Sequence, residues 1–417
     1  MRECEVLIVG AGPAGCATAM LAARGGLSTV LVDRPRPAQA WAGESLPPGM
    51  GNLVRSVFGA DILPESDHRC AIGTRSVWGS AALVETDFLA NPLGEGWILD
   101  RARFDAAARE VVLDQGVNIL RVSHLGPLVG GFSAWHLCLG DGTCLRARFL
   151  VDASGRSSAL LRRLGTRRIG ADRQIAVLSI YPDDGDAYCG TTVEAVADGW
   201  WYTTPLSQGR RVLAYMTDTD LWRHGTRDWH ELLSRTHHVG RCAGRRALSA
   251  RPDAYPAGTA QAERLAGENW LAVGDAAMSF DPLSSQGLAS AVLMGAKAGD
   301  AIAHPNRDGA LEAWAEDYRM LFAEHADLRT YYARLERRWP HSAFWRRRQE
   351  PDHAPVRPRD PLVMCASALA SSYKKRKQIV FPRRFEPDSE GQSDGRACRN
   401  DARRRGSCDA PGAIAKR

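Results

Sequence analysis

The chain has 417 residues, 44% of them hydrophobic and 24% charged, with a formal net charge of +6; this is enough to bury a large core in two domains, or in one domain carrying a large insertion. The charge is uneven: from Arg346 onward there are 18 Lys and Arg against 9 Asp and Glu, leaving 36 against 39 before that point, so the body is slightly acidic and its composition offers no basic face to a nucleic-acid backbone. Ten cysteines form no Cys-x-x-Cys pair and have no histidine at metal-ligand spacing, which argues against a zinc site and a disulfide framework and predicts buried free thiols.

In chain order, the first predicted strand, "EVLIV", begins within five residues of Met1, too early for a cleavable leader. The longest apolar run, "GLASAVLMGAKAGDAIA", is broken by Lys297 and Asp300, so no membrane span is expected and the chain reads as cytoplasmic. "GAGPAG" at 10–15 follows that strand and opens a predicted helix of small residues. In such a turn Gly10 permits the tight bend, Gly12 lets the backbone approach a pyrophosphate, and Gly15 lets helix and strand pack closely, while Pro13 suits the first helical turn. A second strand, "LSTVLVD", ends at Asp33, a carboxylate placed to accept hydrogen bonds from a ribose. A ligand-free strand-to-helix turn is the competing reading, but both flanks and Asp33 favour a nucleotide. Gly10, Gly12, Ala14, Gly15, Asp33 and Arg34 are therefore the candidates for the nucleotide half of a site.

Further along, "EGWILDRARFDAAAREVVLDQGVNIL" reads as strand, helix and strand, with Phe104, Ala107, Ala108 and Val111 on one face of the helix. Arg101 opens that helix, either to reach phosphate or ribityl oxygens or to pair with Asp105 one turn on. "RARFLVDASGRSSALLRRLG" reads as a strand ending at Asp152, a turn, and another helix. Residues 171–254 alternate apolar and polar positions between turn signals and predict an inserted antiparallel sheet. Within it "WWYTTP" puts Trp200 and Tyr202 on one face and Trp201 on the other. His237 and His238 are adjacent and point apart, so a surface pair is favoured over a metal site. The last motif is "WLAVGDAAMSFDPLSSQGLAS": a strand delivers Gly274 and Asp275 at its carboxyl end, and a helix beginning after Gly287 aims its N–H groups at whatever lies there.

"GAGPAG" with Asp33, "VDASGRSS" and "GDAA...DPLSSQG" together resemble the FAD-dependent monooxygenase and flavin halogenase superfamily that shares the p-hydroxybenzoate hydroxylase fold. "GESLPP" at 43–48, "SVWGS" at 76–80, "GWILDRARFD" and "RRWPHSAFWRRR" are most similar to its subgroup containing maturation enzymes of quinone-cofactor amine oxidases and dehydrogenases, which hydroxylate a tryptophan inside a partner protein. The resemblance implies an α/β fold: a Rossmann-like FAD-binding domain (1–170 and 256–345), an inserted antiparallel substrate sheet (171–255), C-terminal helices, and a basic tail (346–417) predicted from its composition to be disordered. It implies FAD as cofactor, with Arg101, Gly274, Asp275 and Gly287 adding to the nucleotide residues, and Pro282 to Gly287 along the flavin ring. Glu44 lies near the ring by the same resemblance, as a base or as a loop anchor; Glu44, Pro282 and Ser285 are the candidate catalytic residues.

The implied reaction is hydroxylation of an aromatic group through a flavin peroxide, on a small molecule, peptide or protein. Electrons would come from NAD(P)H or from a separate flavin reductase. A reductase of the geranylgeranyl type and a non-catalytic flavin-binding partner are the alternatives. Two departures narrow the choice. Flavin halogenases carry a lysine near the flavin and a Trp-x-Trp-x-Ile-Pro motif, whereas the first lysine here is Lys297 and the tryptophan motif is absent.

Overall fold

Five parallel strands carry the nucleotide half of the chain. In the computed structural model, which describes residues 1–34, 44–131, 133–170 and 172–349, they lie in the spatial order 270–272, 144–152, 2–9, 29–33, 118–121. The first strand, Arg2–Val9, is central, and its residues 6–8 are wholly shielded from water, which is why "EVLIV" reads as a continuous apolar run rather than an alternating one. The order reverses at this strand: the next in sequence pairs on one side of it and Cys144–Asp152 on the other. The carboxyl ends of parallel strands at such a reversal form a crevice for a ligand.

Helices Pro13–Arg24 and Gly287–Ala303 pack against each other through small residues. A Cβ on Gly295 would lie 2.4 Å from the Ala14 carbonyl oxygen, and one on Gly299 would lie 2.5 Å from that of Thr18. The two backbones thus approach more closely than any side chain allows, and this brings both helix N-termini to the same end of the sheet. A 29-residue helix, Arg307–Leu335, covers the second of them.

The inserted sheet is larger than the sequence predicts. Its seven strands run in the order 253–256, 174–182, 210–218, 199–206, 191–196, 73–77, 84–87. The last two form a hairpin from the first half of the chain, and Gly73–Val77 joins Thr191–Val196 in parallel. The sheet is therefore mixed rather than purely antiparallel, because a pairing across more than a hundred residues leaves no local signature in either strand. Three short helices, Thr219–His224, Trp229–Ser234 and Val239–Ala243, cover its outer face. There Trp201 is fully buried against Tyr215 and Trp229, with ring centroids 4.8 and 4.9 Å away. Trp200 and Tyr202 occupy the opposite face, as their alternation requires.

Three further expectations are corrected. Residues 158–165 form turns and not a helix: Ser158 is left-handed (φ 43°), and the Asp152 carboxylate takes the N–H groups of Ser154, Leu160 and Leu161 at 2.8–2.9 Å. Cys138 and Cys144 are disulfide-bonded, because antiparallel register sets them directly opposite on neighbouring strands with Cα atoms 4.1 Å apart. Finally, residues 346–349 belong to helix Ala343–Gln349 and not to a tail. Arg348 is buried there, with one amino group 2.6 Å from Asp218 and 2.9 Å from the Gln174 side chain, and Arg347 pairs with Asp218 and Asp220. The rest of the predicted tail lies outside the described residues, as does Gly43 of "GESLPP". Among the described residues no helix is long and apolar enough to cross a membrane.

Candidate functional site

One cavity of about 530 Å³ runs from the glycine-rich turn to the inner face of the inserted sheet. At its nucleotide end lies the start of helix Pro13–Arg24. No side chain caps that helix, and Pro13 takes its first turn. A Cβ on Gly12 would meet nothing within 4 Å, so this backbone faces open space. Gly10 and Gly15 act differently: a Cβ on Gly10, whose φ is +114°, would lie 2.2 Å from the Ala153 carbonyl oxygen, and one on Gly15 would lie 1.9 Å from that of Gly10. They do not line the cavity but hold the turn that shapes it, while Gly12 and Ala14 do line it.

Asp33 closes this end and fixes the loop, accepting from the Ala11 N–H at 3.1 Å. Arg34 lines the cavity beside it. Arg101 satisfies both of its predicted readings: it lines the cavity, and its Nη2 lies 3.3 Å from Asp105 Oδ1, with both side chains almost buried. Asp100 supplies the cap of that helix by accepting from the Arg103 N–H at 3.2 Å.

In the middle of the cavity, strand Trp270–Ala272 leads to Gly274 and Asp275. Gly274 has φ +58° and donates its N–H to Tyr318 Oη at 2.8 Å. Asp275 lies 3.3 Å from Arg156 Nε and remains partly exposed to the cavity. Arg156 also donates to the carbonyls of Gly258 and Phe280. The loop Phe280–Ser285 follows, pinned by Asp281, whose carboxylate accepts from the Leu283 N–H at 2.9 Å. Pro282, Ser285 and Gly287 line the cavity, and helix Gly287–Ala303, like the first, begins without a side-chain cap. Two uncapped helix N-termini, an open backbone at Gly12 and the carboxylates of Asp33 and Asp275 suit a long dinucleotide whose pyrophosphate seeks N–H groups and whose sugar and ribityl hydroxyls seek acceptors.

The roof is apolar and aromatic, formed by Ala176, Val193, Trp200, Tyr202 and Tyr255. Between floor and roof stands Glu44, 3% exposed, which accepts a hydrogen bond from Tyr202 Oη at 3.1 Å. Burial, reinforced by the Glu44 charge, pushes the Tyr202 phenol well above its ordinary range and keeps it a donor. The structure thus brings together every predicted site residue in or directly behind one cavity. Lys297 stands apart in an ion pair with Asp317 at 2.9 Å. His237 and His238 give their backbone N–H groups to Glu194, and no metal-binding cluster is present among the described residues.

Sequence reasoning missed Arg156, Arg109 and Tyr318. Arg156 stands inside the quoted "VDASGRSS", and its long side chain next to a turn was an available signal. Arg109, which lines the cavity and donates to the Ala11 carbonyl at 3.4 Å, sits two turns along a helix. Tyr318 reaches Gly274 from 44 residues away; neither carries a local pattern.

Comparison with known proteins agrees with this geometry. A family model described as tryptophan halogenase matches residues 80–360, and one described as an FAD binding domain matches residues 3–40. A protein described as FAD-dependent oxidoreductase LodB, from Marinomonas mediterranea, is 27% identical over 84% of this chain and 97% of its own length. A 1H-pyrrole-2-carbonyl-[peptidyl-carrier protein] brominase of Pseudoalteromonas luteoviolacea is 25% identical over 72% of this chain and 77% of its own. Among solved structures, the peptidyl tryptophan dihydroxylase QhpG, essential for tryptophylquinone cofactor biogenesis, superposes with a TM-score of 0.68 at 25% identity, covering 86% of this chain and 82% of that one.

Proposed function

We propose, from the premise that this chain belongs to the tryptophan halogenase family and is an FAD-dependent oxidoreductase, that it hydroxylates an aromatic ring, the side chain of a tryptophan in a partner polypeptide. The observation that carries this reading is the single cavity joining a dinucleotide floor to an aromatic roof with Glu44 between them. QhpG, similar over most of its length, supports the peptide-borne substrate.

Gly12, Ala14, Asp33 and Arg34 would hold the adenosine and pyrophosphate half of FAD, and Arg101, Gly274 and Asp275 the ribityl half. Gly10 and Gly15 keep the turn in shape. Reduced FAD supplies the activation of oxygen. The protein supplies orientation and dryness: Trp200, Tyr202 and Tyr255 shield the ring face, and the start of helix Gly287–Ala303 presents N–H groups where negative charge develops. Pro282 and Ser285, which line the cavity, would border the flavin ring. Glu44, held by the Tyr202 phenol, accepts the indole N–H and takes the proton that hydroxylation displaces. Electrons arrive from NAD(P)H or a separate flavin reductase.

Hydroxylation is preferred over halogenation because Lys297 is engaged by Asp317 outside the cavity. The test is anaerobic reduction followed by oxygen, with mass spectrometry on free tryptophan, on tryptophan peptides from a neighbouring gene product, and on the same mixtures with bromide. An oxygen atom gained by a peptide, with free tryptophan turned over poorly, is the expected result. Regioselective bromination, or substrate reduction without oxygen, refutes the proposal.

A further inference from the structure

Two residues one turn apart on helix Arg307–Leu335 touch the loop Phe280–Ser285, beside Phe322 on Phe280, and no part of the proposed reaction uses them. His325 is 1% exposed. Its Nε2 accepts from the Asp281 N–H at 3.1 Å, and its Nδ1 lies 3.3 Å from Ser284 Oγ. The acceptor role of Nε2 fixes the tautomer: the ring proton sits on Nδ1 and points at Ser284. Ser284 Oγ in turn donates to the Asp281 carbonyl at 3.3 Å, so the imidazole closes a ring of hydrogen bonds that begins and ends on Asp281. The ring edge packs on Phe280, with centroids 4.6 Å apart. Arg329 completes the arrangement. Its Nε lies 3.3 Å from Asp281 Oδ2 and its Nη2 lies 2.7 Å from Asp172 Oδ2, and Asp172 accepts from the N–H of Gln174, the first residue of the roof strand Gln174–Pro182.

We propose that His325, seconded by Arg329, is a positioning residue that fixes the Phe280–Ser285 loop against FAD and couples its geometry to the roof. The inference rests on the reading that this loop borders the flavin ring. Only a neutral imidazole can accept from Asp281. Burial holds His325 down to about 4, opposed by the Asp281 carboxylate and assisted by Arg329; Phe280 and Ser284, its other neighbours, are uncharged. The ring is therefore neutral at neutral pH, and the latch opens as pH falls toward that value.

The test measures FAD affinity and the FAD reduction potential of the full chain for wild type, His325→Gln and His325→Leu. Gln keeps an acceptor within reach of Asp281 but does not titrate. His325→Leu should bind FAD roughly tenfold more weakly at pH 7, because a buried N–H loses its partner, with a shifted potential; His325→Gln should stay within about threefold of wild type. Between pH 6 and 4.5 wild type should lose affinity more steeply than His325→Gln. If His325→Leu does not fold, Ser284→Ala carries the test, with a loss of about threefold expected. Wild-type affinity and potential in His325→Leu (or in Ser284→Ala, where that variant stands in), or equal weakening in Gln and Leu, would overturn the inference. Because these readouts need no substrate, a chain that binds FAD but hydroxylates nothing would sink the proposed reaction and leave this inference standing.

Discussion

The cavity floor sets exposed backbone beside charged side chains, whereas the roof is made of apolar and aromatic side chains. On the floor, Gly12 offers open main chain, Gly10 and Gly15 exclude any Cβ, and two helices present uncapped N-termini. In the roof, Trp200, Tyr202 and Tyr255 face the cavity while Trp201 anchors the back of the same strand. A backbone site tolerates few substitutions and recognises what all its ligands share, a pyrophosphate and its sugars. A side-chain site can be redrawn residue by residue, and so suits the part of a family in which substrates differ. The contrast predicts that changes to the floor's backbone turns abolish cofactor binding outright, that changes to its side chains weaken it, and that roof changes cost stability or selectivity and leave FAD in place.

The largest effect is expected at Gly10. Val there would collide with Ala153 and strain a positive φ, and no soluble yellow protein should be recovered. Next is Trp201→Ala, which should lose about 3–5 kcal/mol of stability in urea titrations yet still bind FAD at low denaturant. If FAD fluorescence and tryptophan emission report one shared transition in that variant, floor and roof are a single cooperative unit and the contrast is weaker than drawn. Asp275→Ala removes a charged acceptor facing the cavity and should weaken FAD by about 1.5–3 kcal/mol, read by equilibrium dialysis, with the roof's thermal transition unchanged. The smallest effect is Lys297→Met: breaking its ion pair with Asp317 should reduce stability by about 1 kcal/mol, and brominated product should be absent before and after the change. Bromination by wild type that disappears in Lys297→Met would return the lysine to the chemistry.

The floor was legible because its logic is local. Strand, glycine turn and helix follow one another directly around Gly10–Gly15, and strand, loop and helix do so around Gly274–Gly287, so spacing alone specifies which atoms can meet a ligand. The face assignment of Trp200, Trp201 and Tyr202 was legible for the same reason, since alternation along a strand is a property of neighbours. What escaped depends on distant partners: the hairpin 73–87 in the roof, Arg156 on Asp275, Tyr318 under Gly274, and His325 under Asp281. The disulfide between Cys138 and Cys144 was missed because sequence separation does not reveal that a turn sets the two thiols face to face. Residues 346–349 were misread as tail because a run of arginines looks solvated until Asp218 and Gln174 are known to wait for it.

That last contact bears on how the molecule is made. The roof takes strands from 73–87 and 174–256 and is then sealed by Trp345, which donates to the Val196 carbonyl, and by Arg348, which lies 130 residues after its partner Asp218. On a ribosome, the central strands are synthesised well before Arg347 and Arg348, which neutralise the buried Asp218 carboxylate. Until Arg348 emerges, that charge and the face which Trp345 will cover stand open to chaperones and to other nascent chains. The order of synthesis thus makes the inserted sheet the last of the described parts to close.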